Sequence, residues 1–131
     1  MTAFIDTNVL VRHLTGDPPA QAAGATRYLQ VADELLLPDL VAAEVAYVLE
    51  SFYEAPRRQV AETLRAILAF PSIRVVDVEL LLRAVEVYDV HRLDFADAYL
   101  VASAERSGVG QIVSFDRGID RVGTVTRVEP E

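Results

Sequence analysis

Ala3-Phe4-Ile5-Asp6-Thr7-Asn8-Val9-Leu10-Val11 is the stretch on which the fold turns. A short apolar run enters from the N-terminus and stops on an acid, the polar pair Thr7-Asn8 follows, and an apolar-periodic segment begins at once. The pattern reads as a buried strand, an aspartate at its carboxyl end, and a helix starting with Thr7 or Asn8 near the cap. Ligands of open α/β sheets collect outside the carboxyl ends of the strands. Asp6 therefore stands where chemistry is usually placed, although Asp6 or Thr7 could equally do no more than cap the helix.

Outward from this stretch, helical and strand patterns alternate. Helices are expected over about 7–14, 20–32, 38–53, 57–70, 78–90 and 94–107, the last closed by Gly108. Short strands are expected at about 35–37, 73–76, 111–115 and 124–128. Tyr28 and Leu29, Val45, Leu49 and Phe52, then Leu81, Leu82, Val85 and Tyr88 form the apolar stripes of their helices. Alternation of this kind predicts an α/β fold, a largely parallel sheet with helices on both faces. With 131 residues, one domain spanning 1–131 accommodates it.

Composition narrows the functions. Hydrophobic residues make up 52% of the chain, which excludes disorder. Charges break every apolar run well short of the ~18 residues of a membrane span, and Asp6 interrupts the only stretch resembling a signal peptide, so a cytoplasmic protein without membrane contact is expected. There is no cysteine, hence no disulfide framework and no thiolate metal site. The net charge of -8 argues against sequence-independent binding of long nucleic acid by a basic surface. All twelve basic residues are arginine. Without lysine, P-loop and Schiff-base chemistry are excluded, and phosphoacceptor or haloacid-dehalogenase-like sites lose the lysine they use.

Three further acids stand out. Glu44 lies three residues after Val41 and four before Val48, which assigns it to the buried stripe of its helix, where a carboxylate must be paired, protonated or bound to a cation. Asp97 shares a face with Leu100, Val101 and Ala104. Asp116 ends the run Ile112-Val113-Ser114-Phe115 as Asp6 ends the first strand, with Ser114 two residues back on the same side. Asp94 is open to two readings, helix N-cap or cation ligand. Converging at one sheet edge, these carboxylates would repel one another unless cations held them, and oxygen-only ligands suit Mg²⁺ or Mn²⁺. His13 and His91 read as surface or packing residues.

With Asp6-Thr7-Asn8, Glu44, Asp94-Phe95-Ala96-Asp97-Ala98-Tyr99-Leu100-Val101-Ala102 and Ser114-Phe115-Asp116 in order, the chain resembles PIN-domain proteins, more narrowly the VapC-type toxin ribonucleases of bacterial type II toxin–antitoxin pairs. The resemblance covers residues 3–128. It implies a three-layer α/β/α fold with a central sheet of about four to five strands. It also implies a Mg²⁺- or Mn²⁺-dependent endoribonuclease and a cognate VapB-type antitoxin. The family's acids map onto Asp6, Glu44, Asp97 and Asp116, with Asp94 as adjunct and Thr7, Asn8 and Ser114 supporting them. Ser114 departs from the threonine common in the family but keeps the hydroxyl. One or two ions would hold a scissile phosphate and activate a bound water, and Arg12 and Arg92 could clamp phosphate. The alternative is an inactive PIN scaffold that only binds protein or RNA. Apolar residues off the stripes, Tyr47 and Leu80 among them, predict a two-fold dimer. The acidic pocket predicts an antitoxin that inserts an arginine. Repulsion among the four acids predicts carboxyl pKa values raised together in metal-free protein, with Glu44→Gln relieving the strain.

Overall fold

A computed structural model describes residues 2–131 as two compact units, one ending at Val76 and the other beginning at Asp77. In the first, β1 (Thr2–Phe4) leads into α1 (Thr7–Thr15) and α2 (Pro19–Val31). Then come β2 (Glu34–Leu36), α3 (Asp39–Ser51), α4 (Arg57–Leu68) and β3 (Ile73–Arg74). The three strands form a parallel sheet in the order β1-β2-β3, with Ala3 opposite Leu35 and Leu35 opposite Ile73. Parallel pairing requires a crossover between neighbours, and the helices supply it. Leu10, Leu29, Leu35, Val45 and Leu64 fill this unit's core. Ser72 is buried and donates its hydroxyl to the carbonyl of Leu29 at 2.9 Å, satisfying one of the carbonyls that the end of α2 leaves without a helical partner.

The second unit holds α5 (Val78–His91), α6 (Phe95–Ser107), β4 (Gln111–Val113), a short 3₁₀ helix (Arg117–Arg121) and β5 (Thr126–Val128). β4 and β5 pair in parallel with Ile112 opposite Arg127. Tyr88 and Phe95 meet edge to face at 6.1 Å beside Leu81, Val85, Val101, Ile119 and Val122, all buried. Around this core Arg83 grips Glu105 through two hydrogen bonds of 2.8 and 2.9 Å, and Arg106 bridges Asp77 and Glu79. Gly108 closes α6 in the left-handed conformation at φ 78°, as its position predicts.

The α/β reading and the order of elements hold; the strand count per sheet differs. Parallel ladders of three and two strands replace one sheet of four to five. The last two strands are shorter than the apolar runs containing them, because β4 stops at Val113 and leaves Phe115 exposed. Three residues assigned to stripes are also exposed: Tyr28, Phe52 and Leu82. The alanines account for much of this. Ala22 on α2, Ala42 and Ala46 on α3 and Ala84 on α5 take the buried face, where a small side chain lets elements approach closely. Among the described residues, no helix is long and apolar enough to cross a membrane.

Candidate functional site

Asp97 and Asp116 are brought together in the second unit. Phe95, Ala98, Val101 and Ala102 bury one face of α6, and Asp97 falls at the margin of that face in the first turn, half-buried. Asp116 occupies the N-cap position of the 3₁₀ helix. Its Oδ1 accepts the Gly118 N–H at 2.8 Å, and its own N–H donates to Ser114 Oγ at 2.9 Å. Two short local bonds thus fix both its backbone and its carboxylate. Ser114 Oγ meets the main chain of Asp116.

The pair is electrostatically unequal. Burial pushes the Asp97 carboxyl up to about 6; a hydrogen bond with Asp116, the charge of Asp116 and that of Asp94 add to the rise. Asp116 moves down instead, held first by the Gly118 N–H and then by the hydrogen bond with Asp97; Arg121 and Arg127 add positive charge. Of the two carboxyls, Asp97 keeps its proton to the higher pH, up to about 6, because Asp116 is the better solvated and better bonded anion. Asp94 stands at the N-cap of α6, yet its side chain makes no capping hydrogen bond. The cap reading therefore holds for its position and not for its carboxylate.

In the first unit Asp6 is the N-cap of α1 and accepts the Thr7 N–H at 2.7 Å. Thr7 is buried, and its Oγ1 has no hydrogen-bond partner among the described residues. Asn8 is exposed. Glu44 requires correction: it is exposed, not part of a buried stripe. The buried face of α3 is Ala42, Val45, Ala46 and Leu49, and Glu44 flanks it. The half-buried Arg12 lines a cavity together with Asp6. Arg92 is exposed at the left-handed C-cap of α5, and its carbonyl accepts Arg121 Nη1 at 3.1 Å. His13 packs as expected, Nδ1 against Thr26 Oγ1 at 2.7 Å and its ring edge to face with Phe70.

Hard oxygen donors are what both units offer. Within neither unit do three or more acid or histidine side chains, among the described residues, draw together into a cage for a metal ion. The Asp97–Asp116 pair nevertheless fits a divalent cation by its chemistry. The charges of Asp116 and Asp94 help to raise the Asp97 carboxyl, a cation would relieve that repulsion, and all donors are carboxylate oxygens. The expected collective rise in pKa holds for Asp97 and is reversed for Asp116. The sequence marks Gly118 as the turn that Asp116 starts without giving it a part in holding the acid, and it does not single out Arg121 or Arg127. The signal was available for Gly118, two residues after an aspartate in an Asx-type turn, and not for the arginines, whose approach depends on the 3₁₀ helix and β5.

The PIN domain family model matches residues 3–125. A VapC ribonuclease of Aquifex aeolicus is 25% identical over 126 residues, 94% of this chain and 93% of that protein. Among solved structures, the Mycobacterium tuberculosis toxin VapC20, described as cleaving the sarcin-ricin loop, is 24% identical with a TM-score of 0.43, covering 98% of this chain and 99% of that one. The VapBC2 complex of Rickettsia felis, bound to a DNA fragment from its promoter, is 13% identical with a TM-score of 0.39 over 100% of both chains.

Proposed function

We propose that this chain, which belongs to the PIN domain family, is a divalent-cation-dependent endoribonuclease and the toxin of a VapBC-type pair. The similarity to a VapC ribonuclease over nearly the whole of both chains supports the reaction class. The observation that carries the chemistry is the Asp97–Asp116 pair, two carboxyls brought within hydrogen-bonding reach of each other with only oxygen donors to offer. Asp97 and Asp116 would hold the cation, with Asp94 beside them. Asp6 and Glu44 are assigned to the same chemistry on the family resemblance, and Thr7 Oγ1 supplies a further unpaired oxygen next to Asp6.

Mg²⁺ or Mn²⁺, when bound, supplies the positive charge that polarises a phosphodiester and lowers the pKa of water. The residues do the rest. Above about pH 6 Asp97 is ionised and can act with Asp116 as a dianionic pair. The Gly118 N–H and Ser114 Oγ keep Asp116 in one orientation, and Arg121 and Arg127 offset the negative charge on its outer side. Neither histidine nor lysine is needed, in keeping with a chain that has no lysine and two histidines.

The test is cleavage of structured RNA by the purified chain in Mg²⁺ or Mn²⁺ and in EDTA. Cleavage confined to the metal-containing reactions is expected. A chain that binds RNA but cuts none with either metal would be the inactive scaffold instead. An antitoxin with a basic side chain directed at the acids, and a homodimer, complete the reading. Leu40 and Tyr47, seven residues apart on one exposed face of α3, support an apolar contact surface. Light scattering at tens of micromolar should return twice the 14.4 kDa chain mass, and a monomer there would remove the dimer.

A further inference from the structure

In the first unit a cavity of about 620 Å³ lies among β1, α1 and α2. Its walls follow from periodicity. Gln21, Gly24 and Tyr28 recur at three and four residues on α2, Arg12 comes from α1, and Phe4 and Asp6 stand two apart at the end of the first strand. The volume is in the range of small-ligand sites.

Three features of the walls select the ligand. The Phe4 side is 74% exposed and Tyr28 43%, so aromatic surface is open for a base to stack on. Arg12 has no ion pair among the described residues, leaving a guanidinium for a phosphate. Gly24 sits in the middle of α2, where a Cβ would meet only the guanidinium of Arg27 at 3.9 Å. Alanine would fit and would strengthen the helix. What glycine preserves at that position is open cavity wall.

We propose that this cavity binds one nucleotide of the RNA substrate beside Asp6, its base stacked on Tyr28 and Phe4 and its phosphate on Arg12. Gln21, whose amide both donates and accepts, can hydrogen-bond the edge of any base. The proposal rests on the ribonuclease reading above and adds to it a substrate-positioning site outside the acid pair of the second unit. Aromatic stacking accepts any base, so unpaired RNA is the ligand and duplex RNA, with its bases enclosed, is not.

A fluorescein-labelled single-stranded RNA of ten nucleotides, titrated in EDTA so that it stays intact, tests this by anisotropy. Tyr28→Leu and Gly24→Leu are each expected to weaken binding about tenfold. Arg12→Gln should reduce the slope of log affinity against log salt by roughly one. In a series of the same RNA with one abasic nucleotide at each position in turn, one position should weaken the parent about as much and leave Gly24→Leu unchanged. Leucine is a good helix former, so folding of Gly24→Leu, checked by circular dichroism, separates a filled cavity from a lost fold. No binding by the parent, parent-like binding by folded Gly24→Leu, or additive losses at every abasic position would each overturn the proposal. Cleavage in Mn²⁺ of the structured RNA that tests the ribonuclease keeps the two readings apart. Cleavage that Gly24→Leu leaves unaltered removes the nucleotide site alone, whereas base-dependent binding by a parent that cuts nothing removes the ribonuclease alone.

Discussion

Asp97→Asn should make the metal-free protein more stable than its parent above pH 6 and reduce RNA cleavage at least about a hundredfold. Both effects come from one proton. The Asp97 carboxyl titrates at about 6 in the folded chain against an ordinary 3.8. Folded protein therefore binds more protons than unfolded protein between those values. The stability this contributes is complete below the unfolded value and is lost as pH rises through 6. Asparagine keeps the shape without the charge, so the difference between variant and parent isolates this residue from the other acids. Because Asp97 is only half-buried, water screens much of the effect, and about 1 kcal/mol at pH 7.5 is expected, a melting temperature a few degrees higher. Measurements from pH 5.5 upward avoid the region of the isoelectric point near 4.7. Mn²⁺ should raise the parent's melting temperature and raise the variant's less. A variant less stable than the parent at pH 7.5 in EDTA would mean that Asp97 is anchored by a cation of the protein itself, and it would leave the list of metal-holding residues.

The order of helices and strands was legible because each helix carries an apolar repeat and each break carries proline, glycine or an acid. What failed was the weighting of side chains within a stripe. Reading Val41, Glu44 and Val48 as a buried face counted valines and overlooked Ala42 and Ala46, which pack more closely and take the inside of α3. The same bias put Tyr28 and Phe52 in the core when α2 turns Ala22 and Leu29 inward and α3 turns Ala46 and Leu49. For the acids, position was legible and environment was not. Asp6 and Asp116 were identified beyond the strand ends, and both do cap the helices that follow. The opposite pKa directions of Asp97 and Asp116 depend on the burial of the one and, for the other, first on the Gly118 N–H, whose aim is set by a 3₁₀ helix the sequence marks only as a turn. Gly24 left no mark at all, since a glycine in an alanine-rich helix looks like a weak point until the cavity beside it is seen.

Gly118→Ala should leave the chain folded and reduce cleavage by on the order of tenfold to a hundredfold. The backbone at Gly118 lies outside the left-handed region, so alanine carries no conformational penalty there, and the cost is one of space. A Cβ would stand 3.0 Å from Asp116 Oδ1 and 3.2 Å from Leu93 Cδ2. Leu93 is buried and has little room to yield. The Asp116 carboxylate must therefore give by a few tenths of an ångström, loosening both its bond to the Gly118 N–H and its bond with Asp97. A misplacement of about 1 Å in a group that positions reactants can cost roughly 10²-fold in rate. Two companions separate orientation from stability. Ser114→Ala removes the acceptor of the Asp116 N–H and should act in the same direction more weakly, while Ser114→Thr keeps the hydroxyl and should cleave like the parent. The pH dependence of stability supplies an independent readout. With Asp116 displaced, Asp97 loses part of its partner's bond and charge and keeps the burial contribution and the charge of Asp94, so the fall in stability through pH 6 should shift to lower pH in Gly118→Ala. Parent-like cleavage by a folded Gly118→Ala protein with an unshifted profile would mean that the orientation of Asp116 plays no part in the reaction, and the acid pair would lose its place at the centre of the site.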